Sequence, residues 1–272
     1  ISILVAAGNK KAPGIMTYFD VLFLCTDNNA KSRCGLETFH KAGFSLLVLV
    51  YEIPALRLDP KRPREIFQKP RWYKKHWLKN QSSSIYCHEN GIPYFVIHET
   101  ELDVLLPPLQ SMEFEYVVVN GWPAKLPPGI AALAKKEAMN CHSSYLPDYR
   151  GGNITYAPLI NKEKSSGITV HVLTDRLDSG PIIAQSRFNI EKKESVKSLT
   201  FKRSKFVGEV LIKAIKNVEQ RVPYKENPPS IFWRRQSYAS YLLYRTVNAL
   251  RGVFGLQPLK RQAEPVRLID RL

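Results

Sequence analysis

Residues 139–183 read MNCHSSYLPDYRGGNITYAPLINKEKSSGITVHVLTDRLDSGPII. Ala138–His142 forms a short strand that begins apolar and ends polar. Ser143–Asn153 is a loop with a short helix after it, and Gly167–Leu173 and Ile182–Phe188 are two further strands. The turn Leu177-Asp178-Ser179-Gly180 joins them. Polar residues at a strand's carboxyl end are informative, because open α/β sheets gather their ligands there.

The same grammar extends in both directions. Ile1–Ala7, Val21–Cys25, Phe44–Tyr51, Ile92–Ile97 and Tyr116–Asn120 are short apolar runs ended by Gly or turn-forming residues, the mark of buried strands. Between them, helices are predicted at 31–43 closing on Gly43, from Arg71 to about Asn90, at Leu102–Met112 and at Gly129–Glu137. Continuous apolar strands alternating with helices predict an α/β fold with a mostly parallel sheet covered on both faces. Beyond the turn, Ser195–Val218 predicts a long amphipathic helix. Residues 223–236 carry three prolines and mark a linker, and Tyr238–Leu250 is helical again. The expected organisation is a catalytic domain over 1–222, with a basic insertion at 54–80, and a short basic C-terminal appendix at 223–272.

The chain has 272 residues, 44% of them apolar, enough for a sizeable core. It has 19 Pro against 14 Gly, which excludes a collagen-like chain. No apolar run is long enough to span a bilayer. Ile1–Ala7 lacks the basic flank of a signal peptide, and the absence of an initiating Met predicts that residues precede Ile1. Four scattered cysteines with no CxxC pair argue against a zinc ribbon or disulfide framework and favour a reducing, cytoplasmic setting. The formal charge is +16, unevenly spread. Nine Lys/Arg against two acids fall in 57–79, and ten against three in 221–272, leaving the remainder nearly neutral. The first segment interleaves Phe67, Trp72, Tyr73 and Trp77 with its cations. Such a pattern suits nucleic acid, a membrane interface, an aromatic-lined pocket, or an amphipathic helix packed on its own domain.

Asn140 and His142 are two apart at a strand end, so their side chains share a face. An amide and an imidazole so placed are a candidate oxyanion donor and proton shuttle. Strand-end hydrogen bonding alone also accounts for the pair. Cys141 points to the opposite face, which removes a Cys–His nucleophile. Asp178 is a candidate to orient His142 or accept a proton, or else a plain Asx-turn residue. His171 reads as a structural hydrogen-bonding residue on its strand. Arg150, with Gly151, meets a substrate or anchors its own loop. Gly8-Asn9-Lys10 is a phosphate-cradling turn or a simple surface turn. No His/Cys/Asp/Glu spacing in residues 139–183 matches a metal site.

Taken in order, Asn140-x-His142-x-Ser144-x-Leu146-Pro147, Arg150-Gly151, Gly167-x-Thr169-x-His171 and Asp178-x-Gly180-x-Ile182 resemble the 10-formyltetrahydrofolate-dependent formyltransferase family. That family includes glycinamide ribonucleotide transformylase, methionyl-tRNA formyltransferase and the nucleotide-sugar N-formyltransferases. The resemblance covers roughly residues 85–220. It implies a Rossmann-like formyltransferase domain in which Asn140 and His142 polarise the formyl oxygen and stabilise the tetrahedral intermediate, and Asp178 keeps His142 correctly protonated and relays the amine proton. It also implies that 10-formyltetrahydrofolate is held by the loop containing Gly121, Trp122, Lys125 and Leu126 and by the turn beginning at Thr174 and Asp175, largely through backbone groups. Gly8, Asn9, Arg150 and Gly151 are the residues expected to meet the acceptor. Two departures stand out: Ser143 occupies the position after the histidine where the family usually has Pro, and Trp122 is unusual in its loop.

The expected activity is transfer of a formyl group from 10-formyltetrahydrofolate, with no metal, to a primary amine of a small anionic acceptor. A nucleotide-linked amino sugar is the leading expectation and methionyl-tRNA the alternative. A third reading, from a different class, is a basic module that binds nucleic acid or an anionic membrane on a formyltransferase scaffold. A homodimer is compatible with all three.

Overall fold

The computed structural model describes residues 18–52, 81–97, 102–152, 156–230, 232–233 and 238–256. The strand expected at Ile1–Ala7, the turn Gly8-Asn9, the basic segment 57–79 and the front of the helix expected from Arg71 lie outside the described residues. Two compact units divide the chain, Ile1–Asn140 and Cys141–Leu272.

In the first unit β1 (Tyr18–Thr26), α1 (Ala30–Lys41), β2 (Leu46–Tyr51), α2 (Ser83–Glu89), β3 (Tyr94–Ile97), α3 (Leu102–Gln110) and β4 (Glu113–Asn120) alternate as anticipated. They are followed by β5 (Ala134–His142), whose last two residues open the second unit. The pairs β1–β2, β1–β4, β2–β3 and β4–β5 are all parallel. Val21–Cys25 are wholly buried, as are Val48–Val50 and Val117–Val118, which is why these strands read as unbroken apolar runs. Asn29 caps α1 by accepting from the backbone N–H groups of Lys31 and Ser32. Gly43 follows α1 at φ 85°, the left-handed conformation expected of a residue just past a helix end. Phe39 meets Phe23 and Phe44 edge-on, at 5.9 and 5.3 Å between centroids, and so joins α1 to the sheet.

One element differs from the sequence expectation. Gly129–Glu137 is not a helix: a single 3₁₀ turn at Ala131–Leu133 leads directly into β5 at Ala134. Helix-forming Ala, Lys and Glu are overridden by pairing with β4, where Lys135 meets Glu113 at 2.7 Å and Lys136 meets Glu115 at 2.9 Å.

The second unit holds β6 (Arg150–Gly151), α4 (Tyr156–Ile160), β7 (Ser165–Val172), β8 (Ile182–Asn189), α5 (Val196–Glu219), β9 (Phe232–Trp233) and α6 (Tyr238–Val253). β7 and β8 form an antiparallel hairpin, while β6 and β9 pair in parallel as a separate two-stranded ribbon. The sheet order is β3-β2-β1-β4-β5-β7-β8, mostly parallel as anticipated. Ser195 and Ser198 form a capping box that starts α5. Leu199, Val207, Val210, Leu211, Ala214 and Ile215 are buried at helical spacing on α5, which packs on β7 and β8. Phe188 and Phe206 stack at 5.1 Å in the same layer. Gly167 on β7 lies so near Ser186 and Tyr145 that a Cβ there would sit 2.5 Å from the Ser186 carbonyl oxygen. Among the described residues no helix is long and apolar enough to cross a membrane.

Candidate active site

The carboxyl end of β5 alternates as its sequence requires. Met139 and Cys141 are buried, and Asn140 and His142 occupy the other face of the strand. His142 is itself 7% exposed. Its Nδ1 lies 3.3 Å from Asp178 Oδ1, and its Nε2 lies 2.9 Å from the carbonyl oxygen of Tyr149. Both ring nitrogens therefore face oxygen acceptors. A neutral imidazole satisfies only one of them; the imidazolium satisfies both.

Asp178 is 3% exposed and sits in the β7–β8 turn at φ 51°. Oδ1 also lies 3.5 Å from His171 Nε2, and Oδ2 accepts the Gly151 backbone N–H at 2.8 Å. Burial raises the pKa of such a carboxyl. The positive charge of His142, the hydrogen bond and charge of His171 and the Gly151 N–H outweigh burial and hold it down at about 2. Asp178 is thus a fixed anion beside His142, a poor proton acceptor but a strong support for an imidazolium.

His171 joins this cluster although the sequence suggested only a structural role for it. Its Nδ1 lies 2.8 Å from the Val172 carbonyl oxygen, which turns Nε2 toward Asp178. The signal was present: His171 is a polar residue near the carboxyl end of β7, the position that singled out His142 on β5.

Residues 143–151 are fixed from several sides. Thr169, wholly buried on β7, donates to the Ser144 carbonyl at 2.8 Å and accepts from the Leu146 N–H at 3.0 Å. Gln185 donates to the Leu146 carbonyl at 2.8 Å. Tyr149, at φ 58°, donates its hydroxyl to Glu163 at 2.7 Å and receives Asn161 at 3.1 Å. Burial, then the Glu163 contact, push that phenol's pKa upward. Arg150 is 7% exposed and directs Nη2 to Asn227 O, Asn227 Oδ1 and the Pro228 carbonyl at 2.9, 2.6 and 2.8 Å. Gly151, at φ 106°, occupies a conformation open to glycine while giving its N–H to Asp178.

The residues expected to hold the co-substrate divide between the two units. Gly121 sits just past β4 at φ 84°, and its carbonyl accepts from the Thr26 hydroxyl. Next to it, Asn120 accepts from Ser32 Oγ at 2.8 Å and donates to the Lys31 carbonyl at 3.1 Å. Trp122 meets Tyr51 edge-on at 5.2 Å. Trp122 Nε1 and Asn120 Oδ1 are buried without hydrogen-bond partners among the described residues. Lys125 is exposed and Leu126 half-buried. In the second unit, Thr174 and Asp175 are exposed in the turn that buries Asp178. Gly8 and Asn9 lie outside the described residues. Among those described, no group of three or more His, Cys, Asp or Glu side chains is placed to hold a metal ion.

The family model described as formyl transferase matches residues 66–215. Methionyl-tRNA formyltransferase of a Wolbachia strain is 25% identical over 224 residues, covering 80% of this chain and 72% of the relative. The enzyme of the same name from Staphylococcus epidermidis is 32% identical over 181 residues, covering 66% of this chain and 55% of the relative. Among solved structures, a phosphoribosylglycinamide formyltransferase from Anaplasma phagocytophilum matches with a TM-score of 0.56 at 19% identity, over 75% of this chain and 87% of that one. An N-formyltransferase from Helicobacter canadensis, in complex with folinic acid and dTDP-3-aminofucose, gives 0.54 at 21%, over 79% and 71%. At these identities the two structures establish a common fold.

Proposed function

Because the chain belongs to the formyl transferase family, whose members transfer formyl groups, we propose that it moves a formyl group from 10-formyltetrahydrofolate to a primary amine on an anionic acceptor. The observation that carries this reading is the ionised, buried Asp178 against His142, with Asn140 two residues earlier on the same strand. The orphaned Trp122 Nε1 and Asn120 Oδ1 fit the co-substrate, because a pterin edge offers partners to both a donor and an acceptor. When bound, the co-substrate supplies an amide-like formyl carbon.

His142, cationic beside Asp178, and the Asn140 amide stabilise the oxyanion that develops when the amine attacks. The new bond joins the amine nitrogen to the formyl carbon. The bond broken joins that carbon to the co-substrate nitrogen, which takes up the proton the amine loses. The amine must arrive neutral. Asp178, held ionised at about 2, keeps His142 charged and oriented and does not itself act as the resting-state base.

Two acceptors fit an anionic carrier. A nucleotide-linked amino sugar is the one expected from sequence. Methionyl-tRNA is favoured by the names of the sequence relatives and by the cation excess of residues 221–272. Formylation of each acceptor in the presence of 10-formyltetrahydrofolate separates them. Replacement of Asn140, His142 or Asp178 by Ala is expected to lower turnover by about 100-fold or more. Turnover near wild type in all three folded variants sinks the assignment.

A further inference from the structure

Asp178 is a non-glycine residue at φ 51°, in the left-handed region that Asp enters more readily than most side chains when local hydrogen bonds hold it there. Its carboxylate is tied to the Gly151 N–H. Its backbone is tied elsewhere, to the segment after α5. Asn227 donates Nδ2 to the Asp178 carbonyl at 3.1 Å and to the Gly180 carbonyl at 2.8 Å. The same side chain accepts Arg150 Nη2 through Oδ1 at 2.6 Å. The circuit closes, running from the Asp178 carboxylate through Gly151 and Arg150 to Asn227 and back to the Asp178 carbonyl. Asn227 is not loosely placed either. Lys225 exchanges two backbone hydrogen bonds with Ile182, at 2.8 and 2.9 Å, and β9 pairs with β6 at Arg150 and Gly151.

We infer that Asn227 is a positioning residue of the active site: by clamping both carbonyls of the Asp178 turn it sets the angle at which Asp178 meets His142, so the chain just after α5 belongs to the catalytic apparatus. The inference rests on the proposed formyl transfer for its kinetic consequence, but not for its structural one. The charged and titratable groups around Asp178 are His142 on β5, His171 on β7 and Arg150 on β6. Of these Arg150 touches Asn227 directly. A neutral amide there acts on Asp178 by geometry and on its charge only through Arg150.

The test uses the full chain with Asn227→Ala and Asn227→Asp. The aspartate variant still accepts from Arg150 but has no donor for the two carbonyls. The first readout is the imidazole titration of His142 by NMR, which needs no acceptor. Asn227→Ala is expected to lower its midpoint by about half a pH unit or more, as Asp178 supports the imidazolium less well, and Asn227→Asp to lower it less, because its added carboxylate acts in the opposite direction. The second readout is kinetic: kcat falls by about tenfold, KM for 10-formyltetrahydrofolate stays within about twofold, and the high-pH limb of kcat moves to lower pH. If Asn227→Ala does not fold, Asn227→Leu, neutral, of similar size and likewise without a donor for the two carbonyls, carries both readouts. A His142 titration unchanged from wild type in the folded neutral variant overturns the inference, whatever the kinetics. A wild-type protein that formylates no acceptor, but whose His142 midpoint falls in the variants, leaves the positioning role standing and removes the proposed reaction.

Discussion

A carboxyl buried to 3% exposure ordinarily takes up a proton, because an isolated charge is costly away from water. Asp178 keeps its charge because two imidazoles and one backbone N–H meet its oxygens. A carboxyl held at about 2 against an ordinary 3.8 favours the folded state above pH 4, and that contribution fades as pH falls through 2. The difference is worth about 2 kcal/mol. Urea unfolding of wild type and Asp178→Asn is therefore expected to show a stability gap that narrows by about that amount between pH 6 and pH 2. A gap constant across this range contradicts the assignment of charge. The proposed catalytic pair was legible in sequence, since alternation along one strand brings Asn140 and His142 to one face. The bonds that hold Asp178 were not legible. Gly151 and Asn227 reach it from 27 and 49 residues away, and a backbone N–H or a linker Asn leaves no periodic trace.

Strands were easier to read than the elements between them. β1, β2 and β4 are continuous apolar runs because both faces are buried, and a run of five or six such residues is too short for an ordinary helix. The start of β5 was hidden because Lys135, Lys136 and Glu137 carry helix-forming chemistry. Their strand conformation comes from backbone pairing with β4 about twenty residues earlier, with Lys135 and Lys136 meeting Glu113 and Glu115 on the surface. The β7–β8 hairpin shows a constraint of the opposite kind, in which one small residue decides how two strands approach. Gly167 has a negative φ, so its need for glycine is steric. An added Cβ would meet Ser186 O at 2.5 Å and Tyr145 Cδ2 at 2.8 Å. The Ser186 contact is with backbone, which cannot rotate away. Gly167→Ala is thus expected to destabilise by about 1–3 kcal/mol, the usual cost of overpacking. The melting temperature and denaturant midpoint should both fall, and a variant as stable as wild type shows that the hairpin can open without cost.

Across the whole molecule, charge is separated from chemistry along the sequence. The excess of cations lies in 57–79 and 221–272, while Asn140, His142 and Asp178 fall in a nearly neutral stretch. The proposed transfer would need a dry, fixed dipole arrangement, whereas a phosphate-bearing acceptor would need many solvated cations. Residues 221–272 also carry α6, on which Leu242, Leu243, Leu250 and Val253 are exposed, with Phe254 beyond its end. Two candidate anionic partners would use this region differently. A lipid surface gains from inserting the apolar residues, whereas tRNA engages the cations and gains nothing from Leu243 or Val253. If tRNA is the acceptor, its affinity should fall steeply with salt, with a log–log slope of about −4 to −6 between 50 and 200 mM. Leu243→Asp with Val253→Asp should leave that slope close to wild type, changed by about one charge contact at most. A slope near −1 removes tRNA as the acceptor and leaves the small nucleotide-linked amine. A steep slope accompanied by binding to anionic vesicles that is lost in the double variant shows instead that the basic appendix works on a membrane surface.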